Sequence, residues 1–266
     1  MSAFRNANHL EAACVSDPGL ERAENQDSYL LDLDQALFIV SDGIGGHQAG
    51  DVASRAVVTV FADMLKRQMA ALLEANDRQV ELALREVVVE FNRRLRSESA
   101  SRAGLQGLGA TLVLVWIRIM QSKAYLVSMG DSRIYLLRKE KLGQLTEDHT
   151  ISAFLLKHGV ITPEQALDHP GQHKLSRYIG MEGEVYPDVQ TIGLHPGDRL
   201  LLCSDGLTNM VSDEEIQKIL FSARQESSRL PQAACETLVQ AAIHGGGTDN
   251  ITALVIDYLS TEIQSK

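Results

Sequence analysis

The stretch ALFIVSDGIGGHQAGD, residues 36–51, decides the fold, because five apolar residues run directly into a Ser-Asp-Gly turn at Asp42. The same arrangement returns in RLLLCSDGL, residues 199–207, where a second apolar run ends in Ser-Asp-Gly at Asp205. Apolar runs of this kind are typical of buried strands. A turn explains either copy alone, since Asp and Gly both favour turns. The repetition, however, suggests that Asp42 and Asp205 share a role.

Composition places the chain among ordinary globular proteins. It has 266 residues, 44% of them apolar and 23% charged, a profile typical of soluble domains. The net charge of −10 disfavours binding to nucleic acid or to anionic membranes. The start of the chain has no recognisable signal peptide, and the longest apolar run, TLVLVWI at 111–117, is too short to span a bilayer. Cys14, Cys203 and Cys235 lack metal-site or disulfide spacing, which favours a reducing, cytoplasmic location.

The order of predicted elements indicates antiparallel sheets with helices packed outside them. Runs rich in Val, Ile, Leu and Tyr predict strands at 28–33, 36–41, 111–118, 123–128, 133–138, 199–204 and 251–257. We found no linker or internal repeat, so a single domain over 1–266 is expected. Between Thr146 and Glu184 the pattern breaks up, apart from one short helix predicted to begin at Thr162-Pro163-Glu164, and roughly 146–184 is interpreted as a flap.

Two long helices are predicted between the first and second groups of strands. The first helix is expected to bury one stripe, made of Val52, Ala56, Val60 and Met64. The second helix, with Asp77 as its N-cap, is expected to bury Val80, Leu84, Val87, Val88, Phe91 and Leu95. Further along, Ser212 and Glu215 form the pattern of a capping box, and Pro231 opens a helix that ends at the glycines 245–247.

Five aspartates lie where predicted strands begin or end. Asp42, Asp131 and Asp205 follow strands, whereas Asp27 and Asp249 precede them. In antiparallel neighbours the end of one strand lies beside the start of the next, so all five could share one sheet edge.

A cluster of five carboxylates has electrostatic consequences. Carboxylates held close together raise one another's pKa unless a cation joins them. A ligand set of oxygens alone favours Mg²⁺ or Mn²⁺ over Zn²⁺. Gly43 lacks a Cβ, which lets its backbone carbonyl approach a metal.

At this point the chain resembles the metal-dependent Ser/Thr protein phosphatases of the PP2C (PPM) type, in their compact bacterial form. The resemblance implies an α+β fold, an antiparallel β-sandwich flanked on both sides by helix pairs in α-β-β-α layers. The matching stretches cover nearly the whole chain and follow the family's order: GLERAENQD (19–27), SDGIGGHQAGDVAS (41–54), GLGATL (107–112), GDSRIYLLR (130–138), LTEDHT (145–150), CSDGLTNMVSDEEI (203–216) and GGTDNITALVI (246–256).

The resemblance also implies a site. Two Mn²⁺ or Mg²⁺ ions would be held by Asp42, the carbonyl of Gly43, Asp205 and Asp249. Asp131 would help to bind a weaker third ion.

Two further residues complete the implied site. Arg22 matches the arginine that grips the substrate phosphate, and Asp27 matches an acidic residue that holds metal-bound water. Gln26 stands where many members have Glu, and Asn209 stands where some have an Asp near the third ion. We therefore expect the third ion to bind weakly.

The expected reaction is hydrolysis of phosphoserine and phosphothreonine by attack of a metal-bridging water or hydroxide on phosphorus, because two metals supply both nucleophile and charge neutralisation. His47 is a candidate general acid, but a structural role for it is equally compatible with the sequence. For His149 a structural role is favoured over a catalytic one.

Two rival functions remain at this level: a two-metal nuclease or phosphodiesterase, which the acidic charge disfavours, and an inactive relative that only binds partners. The expected partners are phosphorylated proteins, opposite a Ser/Thr kinase, with no nucleic acid and no membrane. A monomer is expected.

Overall fold

Two antiparallel sheets form the centre of the fold. The computed structural model describes residues 4–6, 9–45, 49–102, 105, 107–225 and 231–259. One sheet has the order β1-β2-β13-β12-β9-β10 and the other has the order β11-β8-β7-β4-β3, while β5 and β6 pair separately. The strands are β1 Phe4–Asn6, β2 Leu10–Asp17, β3 Ser28–Asp32, β4 Leu37–Ser41, β5 Gly43–Ile44, β6 Gly109–Ala110, β7 Leu112–Arg118, β8 Lys123–Met129, β9 Arg133–Arg138, β10 Lys141–Gln144, β11 Asp188–Gly193, β12 Arg199–Cys203 and β13 Ile251–Tyr258.

The apolar run of β4 is buried along its whole length because both faces of its sheet are covered. Successive side chains point to opposite faces of a strand. Phe38 and Val40 therefore pack in the core between the two sheets, whereas Leu37 and Ile39 pack in the core between this sheet and its helices. The seven strands predicted from the sequence are all present, with ends shifted by at most one residue.

Helices cover both outer faces of the sandwich. The five-stranded sheet is covered by α1 (Ala49–Ala56), a π-helical segment (Val57–Phe61), α2 (Ala62–Leu72) and α3 (Asp77–Ala100). The six-stranded sheet is covered by α7 (Asp213–Gln225) and α8 (Pro231–His244). This α-β-β-α layering confirms the predicted fold class. Within the described residues, none of the helices has the length and hydropathy needed to span a bilayer.

The segment after β10 is more ordered than the sequence pattern indicated. It holds α4 (Ile151–Lys157), which the sequence analysis missed, and α5 (Pro163–Leu167), whose start at Thr162 is confirmed. Thr150 pairs with Leu175 in an isolated β-bridge, so the segment returns to its starting point. A short helix, α6 (Asp205–Thr208), follows β12, and one 3₁₀ turn, Ile119–Gln121, follows β7.

The buried face predicted for the first helix was half wrong. Ala56 and Met64 are partly buried and pack against the core, but Val52 and Val60 are 37% and 51% exposed. Each of these two valines lies one residue before a fully buried residue, Ala53 or Phe61. The stripe predicted for α3 is confirmed in full.

Six strands were missed, namely β1, β2, β5, β6, β10 and β11, and three of them (β1, β5 and β6) span only two or three residues. They lack the long apolar runs that identified the other strands, since β2 carries Glu11 and Asp17 at its ends and β11 is only partly buried.

The N-cap of α3 is Asn76, not Asp77 as predicted. Asn76 Oδ1 accepts a hydrogen bond of 3.0 Å from the backbone N–H of Gln79, and Gln79 Oε1 accepts one of 3.0 Å from the backbone N–H of Asn76. Asp77 instead binds Lys123 and Tyr125 on the sheet. The N-cap therefore lies one residue earlier than predicted, and Asp77 anchors the helix to β8.

We expect Asn76→Ala to lower the free energy of unfolding by about 1 kcal/mol, because the N–H of Gln79 loses its acceptor. Asn76→Asp, which retains an acceptor oxygen, is the control and should stay near the wild type. Urea denaturation measures both variants. Equal losses in the two variants would show that the cap contributes nothing to stability.

Candidate active site

The five aspartates meet at one end of the sandwich, but they come from both sheets. Asp27 precedes β3, Asp42 follows β4, and Asp131 follows β8 after one glycine, all in the five-stranded sheet. Asp205 follows β12 and Asp249 precedes β13, both in the six-stranded sheet. The expectation of a single sheet edge was therefore wrong. The carboxylates gather where the ends of two stacked sheets face each other.

Asp27 connects the two sheets. Its Oδ2 accepts hydrogen bonds of 2.7 Å from Ser204 Oγ and 2.7 Å from Thr252 Oγ1, which belong to the opposite sheet or its loops. Its side chain is buried, and Oδ1 has no hydrogen-bond partner. Ser204 precedes Asp205, so Asp27 fixes the start of that turn. The sequence analysis assigned no role to Ser204 or Thr252, although both lie inside the motifs that it quoted.

Two glycines allow the backbone segments of the site to approach closely. A Cβ on Gly206 would lie 2.1 Å from the carbonyl oxygen of Asn250, and one on Gly43 would lie 2.3 Å from that of Gly50. Neither contact can be relieved by a side-chain movement, because both neighbours are backbone atoms. The glycine in each Ser-Asp-Gly turn is therefore required by close packing next to its aspartate.

Asp42 is held through its backbone by Thr111. The N–H of Asp42 donates to Thr111 Oγ1 at 2.8 Å, and the N–H of Thr111 donates to the carbonyl of Asp42 at 2.8 Å. Thr111 Oγ1 also shares a hydrogen bond of 2.7 Å with Ser132 Oγ. One threonine thus connects the turn at Asp42 with the residue that follows Asp131. Thr111 is a third residue, after Ser204 and Thr252, for which no functional role was predicted.

Burial and mutual repulsion disfavour the ionised form of four of these groups. Burial, with Asp205 and Asp249 adding repulsion, raises the pKa of Asp27 to about 6. Burial, with Asp205 and Asp148 adding repulsion, raises the pKa of Asp131 to about 7. Burial also raises the pKa of Asp42 and of Asp205, assisted by the other carboxylates. The electrostatic contact among the aspartates shows that they form one cluster.

Divalent cations fit this cluster on two grounds. The Oδ1 atoms of Asp27 and Asp205 are buried without a hydrogen-bond partner, and a cation would relieve the repulsion that raises the pKa values. In the described part of the chain, no three His, Cys, Asp or Glu side chains are placed to hold an ion by themselves. Mg²⁺ needs only one or two carboxylates, because water supplies its other ligands. The donor set therefore suits ions that share ligands and keep water.

Known proteins resemble this chain over almost its whole length. The family model described as Protein phosphatase 2C matches residues 21–241. The chain belongs to the protein phosphatase 2C family. The serine/threonine phosphatase stp of Listeria monocytogenes is 39% identical over 93% of this chain and 96% of its own length. A crystal structure of the serine/threonine phosphatase PstP of Mycobacterium tuberculosis has a TM-score of 0.80 and 34% identity, and the match covers 95% of this chain and 100% of the chain in that structure.

A second PstP structure bears on the cofactor. It shows the catalytic domain in complex with two manganese ions, with a TM-score of 0.77 and 34% identity, and it covers 95% of this chain and 99% of that domain. Membership of the PP2C family confirms the resemblance drawn from the motifs. It also confirms the predicted enzyme class, a metal-dependent serine/threonine protein phosphatase.

Of the two departures from the usual PP2C pattern, Asn209 acts through its side chain, whereas Gln26 contacts Asn250 and Ser54 through its backbone. Asn209 Nδ2 donates a hydrogen bond of 3.0 Å to Asp205 Oδ2, so an amide orients Asp205 where a carboxylate would repel it. The N–H of Gln26 donates to Asn250 Oδ1 at 2.8 Å, and the carbonyl of Gln26 accepts from Ser54 Oγ at 2.6 Å. Asn250 follows Asp249, so Gln26 connects the loop before Asp27 to the start of β13.

The other residues considered for the site of this PP2C domain differ in exposure and in their contacts. Arg22 is 56% exposed, and its guanidinium donates to Asp249 Oδ2 at 2.9 Å. His47 lies outside the described residues. His149 is buried against the backbone of Gly130, and Arg133 forms an ion pair with Asp148 at 2.7 Å. Cys203 is buried in the core.

The metal-free protein should become less stable as the pH rises from about 4.5 to about 7.5. The pKa values of Asp27 and Asp131, about 6 and about 7, lie above 3.8, the ordinary value. Their protonated forms therefore stabilise the fold at low pH, and this contribution is lost as the pH rises through the folded-state values. Thermal melts in EDTA measure the effect. Asp131→Asn should reduce the pH dependence of the melting temperature, whereas Asp34→Asn, a change in an exposed turn, should not. The same pH dependence in the wild type and both variants would contradict the prediction.

Proposed function

We propose that Asp42, the carbonyl of Gly43, Asp205 and Asp249 hold two Mn²⁺ or Mg²⁺ ions, with which the chain hydrolyses phosphoserine and phosphothreonine in proteins. The observation that carries this proposal is the convergence of buried and half-buried carboxylates from both sheets, two of which have a buried oxygen without a hydrogen-bond partner. Divalent ions in such a cluster make water a better nucleophile and neutralise charge on the phosphoryl oxygens. Asp131 would contribute to a third, weaker ion.

The residues around the ligands have positioning roles in this proposal. Asp27 holds Ser204 and Thr252, and with them the first turn after β12 and the start of β13. Its free Oδ1 is available to a water molecule at the ions. Asn209 fixes the rotamer of Asp205 through one hydrogen bond. The ligands are thus held in place before any ion binds, which favours a defined binding geometry.

Arg22 is proposed to bind the substrate phosphate. Its guanidinium is exposed and already lies within 2.9 Å of Asp249, so it needs only a side-chain movement to reach a phosphate next to that ligand. A planar guanidinium can donate two parallel hydrogen bonds to phosphate oxygens, which a lysine cannot. The general acid stays unassigned between His47 and other groups.

The substrate peptide is proposed to lie against the flap. A cavity of about 390 Å³ separates Asp131 and Asp205 from α4 and α5. Part of its flap side is apolar, formed by Leu156 and Leu167 among others, and Leu167 is 70% exposed. An exposed apolar wall beside an acidic site suits an apolar side chain next to the phosphorylated residue.

The wider context of the enzyme is also a proposal. The substrates are phosphorylated proteins, which places the enzyme opposite a Ser/Thr kinase in the cytoplasm. We propose a monomer with a single domain over 1–266, in which 146–184 forms the flap.

Asp205→Asn should reduce kcat/KM on a phosphothreonine peptide with Mn²⁺ by at least about 100-fold, because loss of an outer-shell partner alone costs 10–100-fold. EDTA should abolish the activity of the wild type. Asp34→Asn, which removes one carboxylate from an exposed turn, is the control. A nuclease would instead cleave a phosphate diester, and an inactive relative would release no phosphate from any phosphopeptide.

Leu167→Ser should raise KM about fivefold for a phosphopeptide with an apolar neighbour, because the lost contact is worth roughly 1 kcal/mol. It should leave KM for a small chromogenic phosphate ester unchanged, since the ester does not reach the flap. Val160→Ser is the matched control, an exposed apolar residue of the same segment that does not line the cavity. An equal change on both substrates would disprove the peptide contact.

A further inference from the structure

His149 forms hydrogen bonds with both backbone polar groups of Gly130, one through its ring and one through its own backbone N–H. Its Nδ1 accepts a hydrogen bond of 3.1 Å from the N–H of Gly130. Its own backbone N–H donates to the carbonyl of Gly130 at 2.9 Å. The side chain is 1% exposed, so water does not compete for these contacts. Gly130 is the residue immediately before Asp131.

The contacts of His149 define its tautomer. Nδ1 accepts a hydrogen bond from a backbone N–H, so in the neutral ring the proton lies on Nε2. Nε2 is 2.9 Å from Asp188 Oδ2 and therefore donates to that carboxylate. A histidine whose second nitrogen binds a carboxylate has its ring orientation fixed. Asp188 thus determines how the ring meets Gly130.

Asp188 is itself anchored by the end of the flap. Arg177 donates to Asp188 Oδ1 at 2.9 Å and to Oδ2 at 3.3 Å, and also to the carbonyl of Tyr186 at 2.9 Å. The hydrogen bond from His149, and then that from Arg177, lowers the pKa of Asp188, so it stays ionised at neutral pH. The backbone carbonyl of His149 accepts from the N–H of Ser176 at 2.8 Å. The start of the flap at His149 and its later part at Ser176 and Arg177 are therefore connected.

Asp131 depends on these contacts because its backbone is held on both sides. Gly130 has a φ of +107°, a conformation that side chains rarely adopt, and a Cβ there would lie 2.6 Å from Thr111 Cγ2. Ser132, on the other side, shares a hydrogen bond with Thr111. Of the contacts on the two sides of Asp131, only those of Gly130 with His149 connect to the flap. Movement of the His149 ring would free the turn that presents Asp131.

We propose that His149 is a positioning residue that, with Asp188 and Arg177, holds the Gly130 turn and so couples the seating of the flap to the placement of Asp131. The proposal rests on the proposed function, because Asp131 matters only if it binds an ion. It gives the buried histidine a role without contact to substrate. It also gives the flap a direct mechanical connection to the ion site.

Three variants separate the contacts of His149. His149→Ala removes both side-chain hydrogen bonds. His149→Asn places Oδ1 near the position of Nδ1, which keeps the acceptor for Gly130 but loses Asp188. Asp188→Ala keeps the ring and removes its anchor. His158→Ala is the matched control, since His158 is an exposed histidine of the flap whose Nδ1 donates to the carbonyl of Phe154 at 2.8 Å.

The first measurement needs no activity. Hydrogen–deuterium exchange of the metal-free protein, followed on the peptide that contains Gly130, should accelerate at least about tenfold in His149→Ala. It should change less in His149→Asn and lie between the two in Asp188→Ala. Circular dichroism and thermal melts establish that each variant is folded. If His149→Ala does not fold, the comparison of His149→Asn with Asp188→Ala still tests the proposal. Exchange of the peptide that contains Gly130 should be faster in Asp188→Ala than in His149→Asn.

The second measurement is the Mn²⁺ concentration at half-maximal activity on a phosphothreonine peptide. It should rise between about 10-fold and 100-fold in His149→Ala, as for loss of an outer-shell partner, and stay unchanged in His158→Ala. Wild-type exchange and wild-type Mn²⁺ dependence in the folded His149 and Asp188 variants would overturn the inference while leaving the phosphatase proposal intact. A wild-type protein that releases no phosphate would overturn the phosphatase proposal, and the exchange measurement would still test the hold on Gly130.

Discussion

Repulsion among buried carboxylates is the constraint on which the rest of the structure depends. Asp27, Asp42, Asp131 and Asp205 lie close enough that burial and mutual charge raise all of their pKa values. A fold keeps such a cluster only if other interactions hold its backbone in place. Here the hydrogen bonds of Ser204, Thr252 and Thr111 do so, and they cross between loops of both sheets. The polar scaffold is as much a part of the site as the acids.

The predictable part of the site is local in sequence. A buried strand followed by Ser-Asp-Gly marks a position where the backbone must turn and a carboxylate must face outward, and this pattern needs only a few residues. The same holds for α3, whose buried residues repeat with the period of a helix. Asp42 and Asp205 were therefore found from the chain alone, and their family was found from the order of such patterns.

The unpredictable part depends on long-range pairing. The assignment of β4 and β12 to different sheets follows from strand order, which a single sequence does not specify. The partners of Asp27 lie 177 and 225 positions away along the chain. The first helix was misread because Val52 and Val60 have helical spacing like Ala53 and Val57, so periodicity alone did not decide which stripe faces the sheet.

The side-chain amides of Gln26 and Asn209 have the same effect, which is to limit the negative charge of the site. Gln26 and Asn209 replace groups that would each add a negative charge to a cluster already short of positive ones. Burial and then Asp249 raise the pKa of Asp205, and the hydrogen bond that Asn209 donates to Asp205 opposes this rise. An added carboxylate would strengthen attraction for a further cation but would increase repulsion in its absence. The amides therefore favour a site with less repulsion when it is metal-free, and they would weaken the binding of the proposed third ion.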